Sequence, residues 1–292
     1  MKVLRAKSAG FCKGVERAIN IALNDARSKK YTHIFTDGPL IHNNQMMSEL
    51  AAQGICELGD YQSSGTLNID LPADEKARSV IVVRAHGITP ERRNYLKNLG
   101  MDFHDATCPD VAKIAGRVKM CANKGYATVI FGDPKHPEVM GILGYAQGRG
   151  NAVRTLEDIA ALPNLGEKIC MVSQSTMFVD EFEKLAEALK KRFPQAEIFN
   201  TICGATRDRQ GDVPALVEQG AQAIIVIGGR HSANTVKLAK LVEAQAIPCF
   251  HIETLAELDL NALRRFEVVG VTAGASTPGF LIDDVCAAVE KL

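Results

Sequence analysis

The chain has 292 residues, of which 46% are apolar, so it can build a real core and has room for about two or three domains. Basic and acidic residues number 34 each and aromatics are only 5% with no Trp, which argues against a nucleic-acid partner and against a base-stacking platform. Nowhere does an apolar run reach the roughly 18 residues of a membrane helix, and the first residues lack the apolar stretch of a signal peptide, so a cytoplasmic protein without a membrane partner is expected.

In chain order, Met1 to Ala6 reads as a strand. It runs into Gly10-Phe11-Cys12-Lys13-Gly14 and then an amphipathic helix pattern. A second strand, His33 to Thr36, is followed by a polar loop carrying His42. Cys56 follows Gly54-Ile55 at the end of an expected helix and receives no role. The stretch from Gly59 to Glu75, with Ser-Ser-Gly and Pro-Ala-Asp, reads as connection. Ser79 to Val83 is a continuous apolar strand leading to His86, and Asp102 to Asp105 leads to Ala106-Thr107-Cys108-Pro109. The helix expected next places Val111, Ile114, Val118 and Cys121 on one face.

The pattern then repeats. Ala127 to Phe131 leads to His136-Pro137-Glu138, Lys168 to Val172 leads to Ser175-Thr176, and Glu197 to Asn200 leads to Thr201-Ile202-Cys203-Gly204. In the helix pattern after Cys203, Pro214 should kink the helix or delay its start. Ala223 to Ile227 leads to Ser232-Ala233-Asn234, and Phe266 to Val271 leads to Ser276-Thr277. Cys170, Cys249 and Cys286 lie in apolar strand or helix patterns and read, like Cys121, as small buried hydrophobes. His33, His104, His231 and His251 fit strand or rim positions.

Cys12 and Cys108 are 96 residues apart, and Cys108 and Cys203 are 95 apart. That spacing is close to a third of the chain and marks an internal repeat. Measured from its cysteine, the first polar loop of each third begins 28–31 residues on and the second 67–74 residues on. Apolar strands alternating with helices indicate parallel sheets covered on both faces. Ligands of such units bind beyond the carboxyl ends of the strands, where all nine loops fall. The expected fold is therefore α/β, with three similar domains carrying small, mostly parallel sheets around a central cavity. The expected boundaries are 14–107, 108–202 and 203–292, with the segment 1–13 completing the third domain.

Three thiolates without an obvious fourth suggest a metal centre with an open position. An iron–sulfur cluster with one unligated iron and a three-cysteine zinc site with a water both satisfy that description, as does the simpler possibility of three unrelated cysteines. The polar loops suggest an anion site at helix N-termini, yet Ser, Thr and Asn also cap helices for purely structural reasons. Glu138 is either a first-turn acid stabilised by the helix dipole or a general acid. The sequence pattern leaves both readings open.

Taken together, the segments resemble one family, the 4-hydroxy-3-methylbut-2-enyl diphosphate reductases of non-mevalonate isoprenoid synthesis. The matching segments are Gly10 to Val15, Gly38 to Asn43, Arg84 to Gly87, Asp105 to Pro109, His136 to Val139, Ser173 to Thr176, Thr201 to Cys203 with Ala205-Thr206 and Arg209-Gln210, and Thr272 to Ser276. They run in order along essentially the whole chain. The resemblance implies a trefoil of three α/β domains around a [4Fe–4S] cluster held by Cys12, Cys108 and Cys203, with a free iron taking the substrate hydroxyl. It implies diphosphate binding by His42, His86, His136, Ser232, Asn234 and Ser276, proton donation by Glu138, and a hydroxyl contact to the reacting end from Ser175. Ser175 stands where the family usually has Thr, and Ala233 where a second Ser is common, so only the Ala233 backbone N–H would serve there. The implied reaction is reductive dehydroxylation of the allylic diphosphate to isopentenyl and dimethylallyl diphosphate. Electrons would come from a ferredoxin- or flavodoxin-type protein, since no G-x-G-x-x-G motif is present. The rival is a zinc-dependent hydrolase or lyase acting on a phosphorylated substrate. A binding module without catalysis is a third possibility.

Overall fold

The computed structural model describes residues 1–59 and 65–292. The 60–64 part of the expected connection lies outside the described residues. In chain order, β1 (Lys2–Arg5) is followed by α1 (Lys13–Ser28), β2 (His33–Asp37), α2 (Asn44–Ala52), β3 (Ile55–Leu58), α3 (Ala73–Lys76), β4 (Ser79–Val83), α4 (Pro90–Lys97) and β5 (Asp102–Asp105). Next come α5 (Pro109–Asn123), β6 (Ala127–Phe131), α6 (Pro137–Leu143), β7 (Gly150–Val153), α7 (Leu156–Ala161), β8 (Ile169–Ser173), α8 (Val179–Arg192) and β9 (Glu197–Ile198). The last part holds α9 (Gly204–Glu218), β10 (Ala223–Ile227), α10 (Ala233–Ala244), β11 (Cys249–Ile252), α11 (Leu260–Leu263), β12 (Val268–Ala273) and α12 (Gly279–Glu290).

The strands form three four-stranded sheets, ordered β5-β4-β2-β3, β9-β8-β6-β7 and β1-β12-β10-β11. Every pairing is parallel. The topology is the same each time. The strand entering a cysteine lies at one edge, beside the strand that precedes the second polar loop. β1 joins β12 with Lys2 opposite Val268 and Val3 opposite Val269. The same backbone bond recurs after each central strand: Gly38, Gly132 and Gly228 donate N–H to Leu58, Val153 and Ile252 respectively.

The strand-to-core logic is clearest in β10. Ile225 and Ile227 face Ile282, Val285 and Val289 of α12, while Ile224 and Val226 face Leu216 of α9 and Leu238 of α10. In the second sheet Val129 and Phe131 pack with Phe182, Leu185 and Leu189 of α8, and Ile130 and Val172 pack with Ile114 and Val118 of α5. Each such side chain contributes about 2 kcal/mol by leaving water. Burial on both faces explains why these strands read as unbroken apolar runs.

The described residues divide into two compact units. One contains Met1–Glu16, His42–Ser48 and Gly204–Leu292, and so holds the β1-β12-β10-β11 sheet; the other contains Arg17–Ile41 and Glu49–Cys203 and holds the other two sheets. Among the described residues no helix is long and apolar enough to cross a membrane.

Four details differ from the sequence expectation. Cys56 is exposed and lies in strand β3 rather than at a helix end. The strands β3 and β7 were not anticipated, and β11 only as an apolar strand or helix pattern around Cys249. The strand at Glu197 stops after two residues, because side chains replace the ladder beyond it. There the Thr201 hydroxyl accepts the Ser173 N–H and donates to the Ser173 carbonyl, and Asn200 Oδ1 accepts the Ile202 N–H. Pro214 delays nothing, since α9 begins at Gly204 and carries the proline inside it, without an N–H to donate at that turn.

Candidate active site

Each sheet presents one cysteine loop and two polar loops at the carboxyl ends of its strands. The three cysteines are held alike. Each donates its backbone N–H to the loop after the neighbouring strand: Cys12 to Ala275 O at 3.1 Å, Cys108 to Ala85 O at 2.9 Å and Cys203 to Ser175 O at 3.0 Å. Each is immediately followed by a helix, and Cys12 O and Cys108 O accept the N–H groups of Glu16 and Ala112 at its start.

In the unit containing Cys12, the loops of His42, Ser232 and Ser276 come together. Ser276 Oγ donates to the His42 carbonyl at 3.0 Å. Gly229 sits beneath that carbonyl, where a Cβ would lie 3.3 Å from the oxygen, and the Gly229 carbonyl accepts the Ser232 N–H. Ser232 caps the twelve-residue α10, its Oγ accepting the Thr235 N–H, so the capping reading holds for this serine. Ala233 and Asn234 form the first turn of α10, whose amides are not used by the helix itself. Asn234 is buried and its Nδ2 has no hydrogen-bond partner. A buried amide N–H left unpaired is costly, and an anion oxygen is the partner that a helix N-terminus best accommodates. Close packing aims this turn. A Cβ on Gly274 would lie 2.0 Å from Thr235 Oγ1, so only glycine lets β12 and α10 approach this closely.

In the other unit an unbroken series of contacts joins Cys108 to Cys203. Cys108 is tied to Ala85, beside His86. The His86 and His136 rings meet edge to face at 5.6 Å. His136 caps α6, with Nδ1 accepting the Glu138 N–H at 3.2 Å. The ring proton of a neutral His136 is thereby placed on Nε2, which becomes a donor. Glu138 is 2% exposed. Its Oε1 accepts the Ser175 N–H at 2.6 Å and its Oε2 the Ser175 hydroxyl at 2.8 Å. The Ser175 carbonyl in turn receives the Cys203 N–H. Glu138 is therefore both a first-turn acid of α6 and a buried carboxyl with an organised partner. The first-turn reading of the sequence holds.

A second layer went unrecognised in the sequence. Asp105 Oδ1 accepts both the N–H and the hydroxyl of Thr107, at 3.0 and 2.6 Å, and Oδ2 is paired with Arg93. Burial pushes the Asp105 carboxyl up, but the hydrogen bonds from Thr107 and Arg93 outweigh it and hold it below the usual carboxylate range. The Asp105-x-Thr107 pattern is an Asx-type turn signal; its arginine partner is not adjacent in sequence.

None of the eight cysteines is in a disulfide. Cys12, Cys108 and Cys203 are partly accessible. Burial pushes the Cys170 thiol up to about 12 and the Cys249 thiol to about 11, which keeps both protonated and inert. Three partly accessible thiols in braced loops suit a soft metal such as iron in a sulfur cluster, so the residues present fit the group that the sequence suggests.

The sequence matches the LytB protein family over residues 3–290. It is similar to the 4-hydroxy-3-methylbut-2-enyl diphosphate reductase of Opitutus terrae, at 60% identity over 292 residues and 100% of both chains. It is 38% identical to the reductase of the same name from Alkaliphilus oremlandii, again across 100% of both. Among solved structures, the E-1-hydroxy-2-methyl-but-2-enyl-4-diphosphate reductase of Plasmodium falciparum aligns with a TM-score of 0.85 at 27% identity, covering 98% of this chain and 87% of that one. A second, an (E)-4-hydroxy-3-methyl-but-2-enyl diphosphate reductase described as the terminal enzyme of the non-mevalonate pathway, aligns at 0.72 with 33% identity over 100% of both.

Proposed function

We propose, from the premise that this chain belongs to the LytB protein family and is an oxidoreductase of the 4-hydroxy-3-methylbut-2-enyl diphosphate reductase type, that it carries out the terminal reductive dehydroxylation of the non-mevalonate pathway with Glu138 as proton donor. Cys12, Cys108 and Cys203 would hold a [4Fe–4S] cluster. Bound there, the cluster supplies two electrons, delivered by a ferredoxin- or flavodoxin-type protein, and a Lewis-acidic iron. The substrate's allylic C–O bond breaks, two electrons and two protons are taken up, and the products are isopentenyl or dimethylallyl diphosphate and water.

The remaining work belongs to the chain's own side chains. Ser232, Asn234, Ser276 and His42, with the Ala233 N–H, bind the diphosphate through the free amides of the first turn of α10 and the unpaired Asn234 Nδ2. His86 and His136 add imidazole donors, His136 through Nε2. Anchoring the charged end leaves the hydroxyl end oriented for reaction. Glu138, in its acid form, protonates the leaving hydroxyl, and Ser175 holds the carboxyl in place.

The observation that carries this reading is the buried Glu138 carboxyl bonded twice to Ser175, whose carbonyl holds the Cys203 N–H. The test is the iron, zinc and sulfide content of protein purified without oxygen, followed by turnover of the allylic diphosphate. About four irons per chain with matching sulfide is expected. Glu138→Gln should keep that iron and still bind diphosphate while losing about a hundredfold in turnover. One zinc without sulfide, persisting through cluster reconstitution, would overturn the redox reading, and full activity of Glu138→Gln would remove the carboxyl from the chemistry.

A further inference from the structure

The Arg209-Gln210 pair is among the family-like segments of the sequence, yet the chemistry above gives it no task. Arg209 lies in α9 and is 2% exposed. A guanidinium taken out of water is retained only where its donors are used. Its Nη2 donates to the carbonyl of Gly10, two residues before Cys12, and its Nη1 donates to Ala205 O at 2.8 Å.

One turn further along the same helix face, Asp212 Oδ2 accepts both the N–H and the hydroxyl of Ser8, at 2.8 and 2.6 Å. The two side chains thus grip the 8–10 segment at both ends, one accepting from Ser8 and the other donating to Gly10. Gly10 is in the left-handed region at φ 105°, and a Cβ there would approach Ile282 Cδ1 to 3.2 Å, so the gripped segment has little room to shift. The grip ends where Cys12 begins, and Cys12 is itself tied to Ala275.

The loop of Cys108 shows the same chemistry from unrelated positions. Asp105 accepts twice from Thr107, and Arg17 donates to the Thr107 and Asp105 carbonyls at 3.2 and 3.3 Å. The loop of Cys203 is braced differently, by Thr201 and Asn200.

We propose that Arg209, with Asp212, is a positioning residue for the Cys12 thiolate: it holds the loop so that the sulfur is in place before metal arrives and stays in place afterwards. The proposal deepens the cluster reading above and rests on it. Loss of one such charged hydrogen bond should change local opening by about tenfold.

The experiment compares the unsubstituted protein with Arg209→Lys, Arg209→Gln and Asp212→Ala in two measurements. Hydrogen exchange on the apo protein reads the 8–14 peptide against the 104–110 peptide. Release of iron to a chelator reads the reconstituted protein. Arg209→Gln and Asp212→Ala should speed exchange of 8–14 and iron release by about tenfold, with 104–110 unchanged. Lysine keeps the charge but cannot span both carbonyls, so Arg209→Lys should recover part of each effect and remains available if the neutral variant fails to fold. Unchanged exchange at 8–14, or a rise of equal size at 104–110, would overturn the proposal, the latter by showing a merely global role. Failure of the unsubstituted protein to take up iron would strike the cluster reading instead, and the exchange comparison on apo protein would still decide whether the grip exists.

Discussion

Ser175 meets Glu138 through two atoms, and the two contacts differ in what a substitution can remove. Its N–H to Oε1 survives any side-chain change, whereas the hydroxyl to Oε2 does not. Ser175→Ala should therefore leave the Glu138 carboxyl held by the N–H alone and lose about tenfold in turnover, whereas Ser175→Thr should keep the activity, because threonine carries the same hydroxyl on a stiffer χ1. Steady-state kinetics of the two variants decide this; equal rates for alanine and serine would mean that the hydroxyl does not govern the carboxyl. At this scale the candidates for the site were legible in the sequence. The cysteines and histidines stand out through the repeat of position, since equal spacing survives where local context is weak. Asp105 did not stand out, because its job depends on Arg93, which only the fold brings to it. Asp212 was missed for the same reason, being joined to Ser8 from the far end of the sequence.

Among elements, α6 carries Glu138, and its seat is set by a glycine. A Cβ at Gly132 would lie 2.7 Å from Val139 Cγ2 and 2.8 Å from Gln174 Cβ. Gly132→Ala must therefore push α6 away from the strand-end loop that carries Ser175. Overpacking of this kind costs about 1–3 kcal/mol. The expected result is a lowered denaturation midpoint and a fall in kcat larger than any rise in KM, because His136 and Glu138 share the displaced turn. A variant with normal kcat and only lower stability would show that the acid tolerates the shift. The elements themselves were unevenly readable. Strands β4, β6, β8, β10 and β12 announce themselves as apolar runs because helices cover both their faces. Strands β3, β7 and β11 lie at sheet edges with mixed, partly exposed residues, such as Gly150-Asn151-Ala152 in β7, and neither alternation nor continuity marks them. Strand β9 is shortened by hydroxyl and amide groups that imitate backbone, which a periodicity count cannot see.

The molecule as a whole carries no net formal charge at neutral pH; acid makes it positive, and particular groups whose pKa the fold has moved add their own response. Asp105 is one, with a folded-state pKa held below its ordinary value. A depressed carboxylate contributes stability that is fully present above the unfolded pKa of about 4 and is lost as pH falls through the lower folded value. Urea midpoints measured from neutral pH downward should therefore fall in that acid window, and Asp105→Asn should flatten the fall. A variant retaining the full acid slope would move the linkage to other carboxylates. The same neutrality and the absence of a Trp platform were readable from composition alone, and they agree with a small-molecule enzyme of the family to which the chain belongs.

The pairing of β1 with β12 has a consequence for biosynthesis. The ribosome makes Lys2 long before its partner Val268. At about 5–20 residues per second, translation leaves the first strand waiting for roughly 10–60 s without its neighbour. The stretch from Glu49 to Cys203 can meanwhile settle with its own contacts. Cys12, whose N–H partner Ala275 is translated later still, acquires its final setting only once that residue has emerged. A cofactor held in part by Cys12, as proposed above, would therefore find its site unfinished on a nascent chain that had not yet reached Ala275.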